Sequence, residues 1–123
     1  MQYLTDRKRA VGKGAGHSGT AHHWSLKISS IALAILIPAF VYIFGRTLGQ
    51  DRAGVLETFS HPFPAILTGL VLVIGMRHYA GGAQIMIEDY ARGGMRKALI
   101  IGVTLLSYAI TATGLFALAK IVL

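Results

Sequence analysis

Cysteine is absent from the chain. That excludes disulfides, thiolate metal sites, iron–sulfur ligation and a cysteine nucleophile. Charge is scarce as well: 14% of the 123 residues are charged, where a soluble domain carries about a quarter. Acidic residues are the rarest part, five against twelve Lys and Arg, for a net charge of +7. So low a charged fraction excludes an ordinary solvated surface around one core. A disordered chain needs the opposite balance. Glycine-rich phosphate loops, nucleophile elbows, helical zinc pairs and flavin fingerprints are missing too. The chain is not a self-contained enzyme.

Apolar residues make up 54% of the sequence, and the mean hydropathy is +0.58. They fall in three uncharged stretches, 28–45, 58–76 and 98–119. A bilayer core of roughly 30 Å needs about 20 helical residues. The pattern predicts an all-α membrane protein with three transmembrane helices, about 25–46, 62–88 and 97–121. Residues 1–24 form a basic N-terminal segment, of which 1–20 read as a mobile tail, and 25–123 form the membrane domain. The N-terminal stretch is not a cleaved signal peptide: its first apolar run starts late, is long and lacks a small-residue cleavage pattern. Pro38 is expected to kink the first span. His61, Pro62, Phe63 and Pro64 open the second, where a first turn tolerates proline. Gly93 and Gly94 close it and set a tight turn.

The basic residues set orientation. Arg7, Lys8, Arg9, Lys13 and Lys27 precede the first uncharged stretch, and Arg92, Arg96 and Lys97 fill the second connection. The first connection holds Arg46 and Arg52, offset by Asp51 and Glu57, and Lys120 lies at the far end of the third span. The N-terminus and second connection are therefore expected in the cytoplasm, with the first connection and the C-terminus opposite. The basic charge marks topology, not nucleic acid.

An ionisable group inside a span is a functional candidate by default. Of His17, His22, His23, His61 and His78, only His78 lies within one of the expected spans. A neutral imidazole can ligate haem iron, relay a proton or bond a neighbouring helix. If it ligates haem, a second histidine must come from another chain. Gly75, Ala80, Gly81, Gly82 and Ala83 permit close approach of a flat macrocycle or of another helix. Arg77 beside it either snorkels or pairs with an anion such as a haem propionate. The second span ends in Glu88, Asp89 and Tyr90, two carboxylates where the helix dipole disfavours them. Arg92, Arg96 or Lys97 can hold them. A phenol beside a carboxylate can also bond and protonate a quinone carbonyl. Trp24, Lys27, His22 and His23 suit lipid headgroups or an anionic cofactor edge. Ser29 and Ser30 can bond backbone or a neighbour. His78 and Tyr90 lie twelve residues apart on one helix, about 18 Å, so they cannot share one small ligand.

These residues resemble a known family. His22, His23, Trp24 and Lys27 leading into Ser29 and Ser30, then His61, Pro62 and Phe63, and above all His78, Gly81, Gln84, Asp89 and Tyr90, are similar to the small hydrophobic membrane-anchor subunit of succinate dehydrogenase. The type is alphaproteobacterial or mitochondrial. The resemblance covers about residues 16–123. It implies that His78 is an axial ligand of haem b, with the other histidine from a second, larger membrane-anchor subunit. It implies that Tyr90 bonds a ubiquinone carbonyl with Asp89 beside it. It places Lys27 and His22 near the propionates or the quinone entrance. The implied partners are that second anchor, the iron–sulfur subunit, the flavoprotein and membrane lipid. The implied location is the bacterial inner membrane, with the C-terminus in the periplasm, or its mitochondrial equivalent. Two departures stand out. Lys27 replaces the usual Arg and lacks its planar fork, and Arg77 precedes the histidine instead of following it. The alternatives are a cytochrome b-type anchor of fumarate reductase or another dehydrogenase, a small homo-oligomeric transporter or channel subunit, and a cofactor-free adaptor.

The topology is open to a clean test, because single cysteines can be introduced without background. Gln50→Cys is expected to react with an impermeant maleimide added to intact cells, and Ala10→Cys only after permeabilisation. The converse labelling pattern inverts the orientation.

Overall fold

The computed structural model describes residues 3–14, 16 and 19–123. His17, one of the five histidines, lies outside them. Five helices follow one another: α1 (Asp6–Val11), α2 (Gly19–Thr47), α3 (Arg52–Ser60), α4 (Pro62–Tyr90) and α5 (Gly93–Val122). No strand occurs among the described residues. α2, α4 and α5 are each long and apolar enough to cross a membrane.

All three outrun the spans expected from hydropathy. α2 starts at Gly19 and α5 at Gly93, because hydropathy marks only the part in hydrocarbon. The flanks His22 to Lys27 and Arg96 to Lys97 are polar and helical. Within the expected tail, Asp6–Val11 forms a short helix instead, with Thr5 accepting from the Lys8 backbone amide at 3.3 Å. α2 runs unbroken through Pro38. Proline has no amide hydrogen, so the Ala34 carbonyl loses its intrahelical donor there.

α3 occupies the first connection and is not anticipated by hydropathy. Asp51 caps it, its carboxylate accepting from the Gly54 amide at 2.9 Å. Such a cap satisfies one of the orphan amides of a first turn. Pro62 then opens α4 at its first position, as expected. The second connection is as tight as the paired glycines suggest. Ala91 and Arg92 are extended, and Gly93 takes the left-handed conformation at φ 61°.

α4 is the central helix. It packs against both α2 and α5, and α3 closes one end by touching all three. Leu33 approaches Gly75, Ser29 meets His78, and Leu26 meets Gly81, so α2 and α4 are antiparallel. Leu115 and Leu118 approach Gly69 while Leu72 approaches Gly114, so α4 and α5 are antiparallel as well. The up–down–up path puts the N-terminus beside the second connection and opposite the C-terminus, as the alternation of three spans requires.

The bundle turns large apolar side chains outward and keeps a few hydroxyls inside beside Leu33, Leu67 and Ile87. Ser29, Thr47 and Ser107 are buried, while Ile28, Ile35, Val41, Leu105 and Phe116 are exposed. Each buried hydroxyl donates to a carbonyl of its own helix: Ser29 to Leu26 at 2.9 Å, Thr47 to Phe44 at 2.7 Å and Ser107 to Val103 at 2.8 Å. Hydrocarbon leaves no water to do this.

Two glycines set the helix spacing. A Cβ at Gly81 would stand 2.7 Å from Leu26 Cδ2, and one at Gly114 would overlap Leu72 Cδ2. A leucine tip can swing aside for one methyl but not for a branched side chain. Gly114→Leu is therefore expected to lower stability by about 1–3 kcal/mol, the usual range for an overpacked contact. A melt of the detergent-solubilised protein reads it, and an unchanged Tm removes Gly114 from the α4–α5 contact.

Candidate functional site

His78 lies on the α2-facing side of α4. Its Nδ1 is 2.8 Å from the Ser29 hydroxyl oxygen. Ser29 is 8% exposed and belongs to the membrane-spanning part of α2. The sequence allows Ser29 a bond to backbone or to a neighbour, and it makes both. The other ring nitrogen of His78, Nε2, makes no hydrogen bond among the described residues. His78 also lines an open groove of about 440 Å³ with Ser30, Leu33, Ala34, Ile37 and Pro38 of α2.

Arg77 points elsewhere. It lines a cleft of about 400 Å³ whose floor is α4 and whose walls are α2 and α5. Its Nη2 donates to the Ser25 hydroxyl at 3.4 Å. His22, Gln84, Ser107, Tyr108 and Thr111 share that cleft. The cleft follows from packing: α2 and α5 both contact α4 but not each other. His22 contributes a buried Nε2 with no partner among the described residues. The adjacent Arg77 and His78 thus serve different faces, and His22 sits with Arg77.

Lys27 lies on α2, and its ammonium stands over the Trp24 ring at 5.3 Å. A cation over an indole face at the membrane boundary is attracted by the ring quadrupole.

Asp89 and Tyr90 end α4, and both are exposed, Tyr90 at 87%. Tyr90 lines a shallow hollow with Met86, Ile87, Ala91, Arg92, Met95 and Leu99. Arg96 reaches back from α5 and donates to the Glu88 carbonyl at 3.1 Å. That satisfies a terminal carbonyl of α4 and brings positive charge to the negative end of the helix dipole. The Glu88 carboxylate accepts from Gln84 Nε2 at 2.8 Å. Of the expected holders, Arg96 engages the helix end, through backbone and not through the carboxylates.

Among the described residues no three His, Asp or Glu side chains converge as a metal site. A haem needs less from one chain, a single axial nitrogen. A histidine whose Nδ1 is engaged and whose Nε2 is without a partner fits that donor requirement.

A three-helix spanning bundle with a histidine deep in its central helix and no convergent metal set among the described residues is an integral membrane protein of the helical-bundle class. Comparison with known proteins narrows this. The family model of the succinate dehydrogenase/fumarate reductase transmembrane subunit matches residues 1–117. The succinate dehydrogenase hydrophobic membrane anchor subunit of Paracoccus denitrificans is 42% identical over 120 residues, which cover 98% of this chain and 93% of that protein. No solved structure matches the chain significantly. The chain belongs to the succinate dehydrogenase/fumarate reductase transmembrane subunit family.

Proposed function

We propose that this chain is the hydrophobic anchor of a succinate dehydrogenase. It holds a flavoprotein and an iron–sulfur subunit at the cytoplasmic face of the inner membrane and, with a second anchor subunit, builds the haem b and ubiquinone sites. Family membership over nearly the whole chain supports the anchor role. The observation that carries the site assignment is His78, deep in the central span, with Nδ1 engaged by Ser29 and Nε2 without a partner among the described residues.

When bound, a haem supplies a one-electron redox centre within the membrane. His78 would hold its iron from α4. The groove shared with Ala34, Ile37 and Pro38 is the surface available to the macrocycle. Among the described residues His78 is the one histidine well inside a span, so a further nitrogen ligand would come from the partner anchor. Lys27, His22 and Arg77 supply cations and donors in the cytoplasmic half of the bundle and suit propionate carboxylates. Arg77 acts from the cleft between α2 and α5.

Tyr90 stands about 18 Å further along α4. Its exposed phenol orients a quinone by donating to a carbonyl oxygen and stabilises charge that develops there. Asp89 beside it supplies a carboxylate at the aqueous boundary, where protons enter. The hollow around Tyr90 is open on its outer side, which the iron–sulfur subunit and the second anchor would close.

Two substitutions test these assignments. Tyr90→Phe is expected to slow quinone reduction on the order of 10²-fold, the usual cost of one oriented donor. Succinate oxidation by an artificial acceptor should be unchanged. Unaltered quinone turnover would remove Tyr90 from the reaction. His78→Ala is expected to abolish or shift the b-type absorption bands of the purified complex. An unaltered reduced-minus-oxidised spectrum would show that the iron is held by other residues.

A further inference from the structure

Ser29 carries an oxygen with one hydrogen and two neighbours. Its Oγ is 2.9 Å from the Leu26 carbonyl oxygen and 2.8 Å from His78 Nδ1. A carbonyl can only accept, so the 2.9 Å contact takes the hydroxyl hydrogen. The oxygen then faces His78 with a lone pair, and the hydrogen in the second contact must belong to Nδ1. A neutral imidazole protonated at Nδ1 has its lone pair at Nε2.

The opposite arrangement fails on its hydrogens. If Ser29 donated to Nδ1, the ring hydrogen would sit on Nε2, which has no acceptor among the described residues. That nitrogen faces the open groove beside α2, where hydrocarbon offers a donor no partner. The Ser30 hydroxyl also reaches the Leu26 carbonyl at 2.9 Å. Ser30 is exposed and lines the groove, so it can turn away where the buried Ser29 cannot. With Nδ1 protonated, every hydrogen in the cluster has an acceptor, and the position left unused is the Nε2 lone pair.

We propose that Ser29 is a positioning residue for His78. It fixes the Nδ1–H tautomer and the ring orientation, and so presents the Nε2 lone pair to haem iron. This inference rests on the reading of His78 as an axial ligand. Its physical content is that of a partner behind a ligand. A hydrogen bond donated by the remote ring nitrogen raises the basicity of the ligating one. A more basic ligand favours the ferric state, so the Ser29 contact lowers the haem potential. Gly81 belongs to the same device. A side chain there would press on Leu26, whose carbonyl anchors the Ser29 hydroxyl.

The test is a redox titration and a low-temperature electron paramagnetic resonance spectrum of the whole complex in mild detergent. Three Ser29 variants of this chain are compared with the natural protein. Ser29→Ala removes the acceptor. It is expected to keep the complex assembled and to shift the haem toward the ferrous state by up to tenfold, a midpoint rise of up to about 59 mV for one electron, with altered ferric g-values. Ser29→Thr keeps the hydroxyl and is expected to restore the natural potential. Ser29→Cys keeps the volume with a much weaker acceptor and is expected to move the potential in the same direction as alanine. It serves if the alanine variant does not assemble. An unchanged potential and unchanged g-values in the alanine or cysteine variant would overturn the role of Ser29. His78→Ala separates the two claims. A natural spectrum there removes the ligand reading itself, whereas a lost spectrum beside an unmoved Ser29 variant removes only the positioning role.

Discussion

The contact between α2 and α4 at Leu26, Ser29, His78 and Gly81 is the point on which the rest of the structure turns. In hydrocarbon a polar side chain has no water to fall back on, so its partners must be in the protein. The Ser29 hydroxyl answers this twice, once to its own helix and once to α4. The missing side chain of Gly81 lets the two helices come near enough for the second bond. Two residues on each helix thus fix both the helix spacing and the presentation of an imidazole. On the proposed reading the same contact serves both assembly and chemistry.

From there the arrangement of α4 explains why neighbouring residues have different duties. A helix turns about 100° per residue, since roughly 3.6 residues make a turn. Arg77 and His78 are therefore swung apart, one into the cleft beside α5 and the other into the groove beside α2. With α2 and α5 both packed on α4 and not on each other, one face of α4 floors a polar cleft. Serines, threonines and a tyrosine line that cleft on the side where a charged guanidinium would otherwise meet lipid. Arg77 bonds Ser25 there. A charge deep in a span is retained only where it faces the bundle or a wet cavity, and this cleft is such a place.

Much of this architecture is legible in the residues, because the bilayer imposes a length and a composition that a window of hydropathy can read. The three spans, Pro62 at the first position of α4 and the tight turn at Gly93 all follow from local rules. The ends of α2 and α5 do not, since the helices continue through polar flanks that carry no hydrophobic signal. α3 escapes for the same reason, although Asp51 ahead of Gly54 is a cap signature that local reading could use. Among the site residues, His78, Asp89 and Tyr90 stand out by type and position. The partnership of Ser29 with His78 spans 49 positions of sequence and needs the register of two antiparallel helices. Only the fold brings them together. The division of Arg77 from His78 is likewise a matter of helix rotation against specific neighbours, which a string of letters does not display.

The distribution of exposure along α4 carries the argument one step further. His78 is partly enclosed by this chain and has one nitrogen engaged within it, whereas Tyr90 at the end of the same helix is almost wholly open. An oriented phenol is useful only in a site that excludes water and fixes its ligand, and one helix end with one turn of α5 cannot do that. On the proposed reading the fold therefore supplies half of each site: one axial nitrogen without its opposite number, and one wall of a quinone pocket without the others. Both halves lie on a single rigid helix about 18 Å apart, so a partner that completes one is constrained to stand in a fixed relation to the other. On that reading this rigidity, together with the Tyr90 phenol, is what a small anchor contributes to electron transfer between two sites.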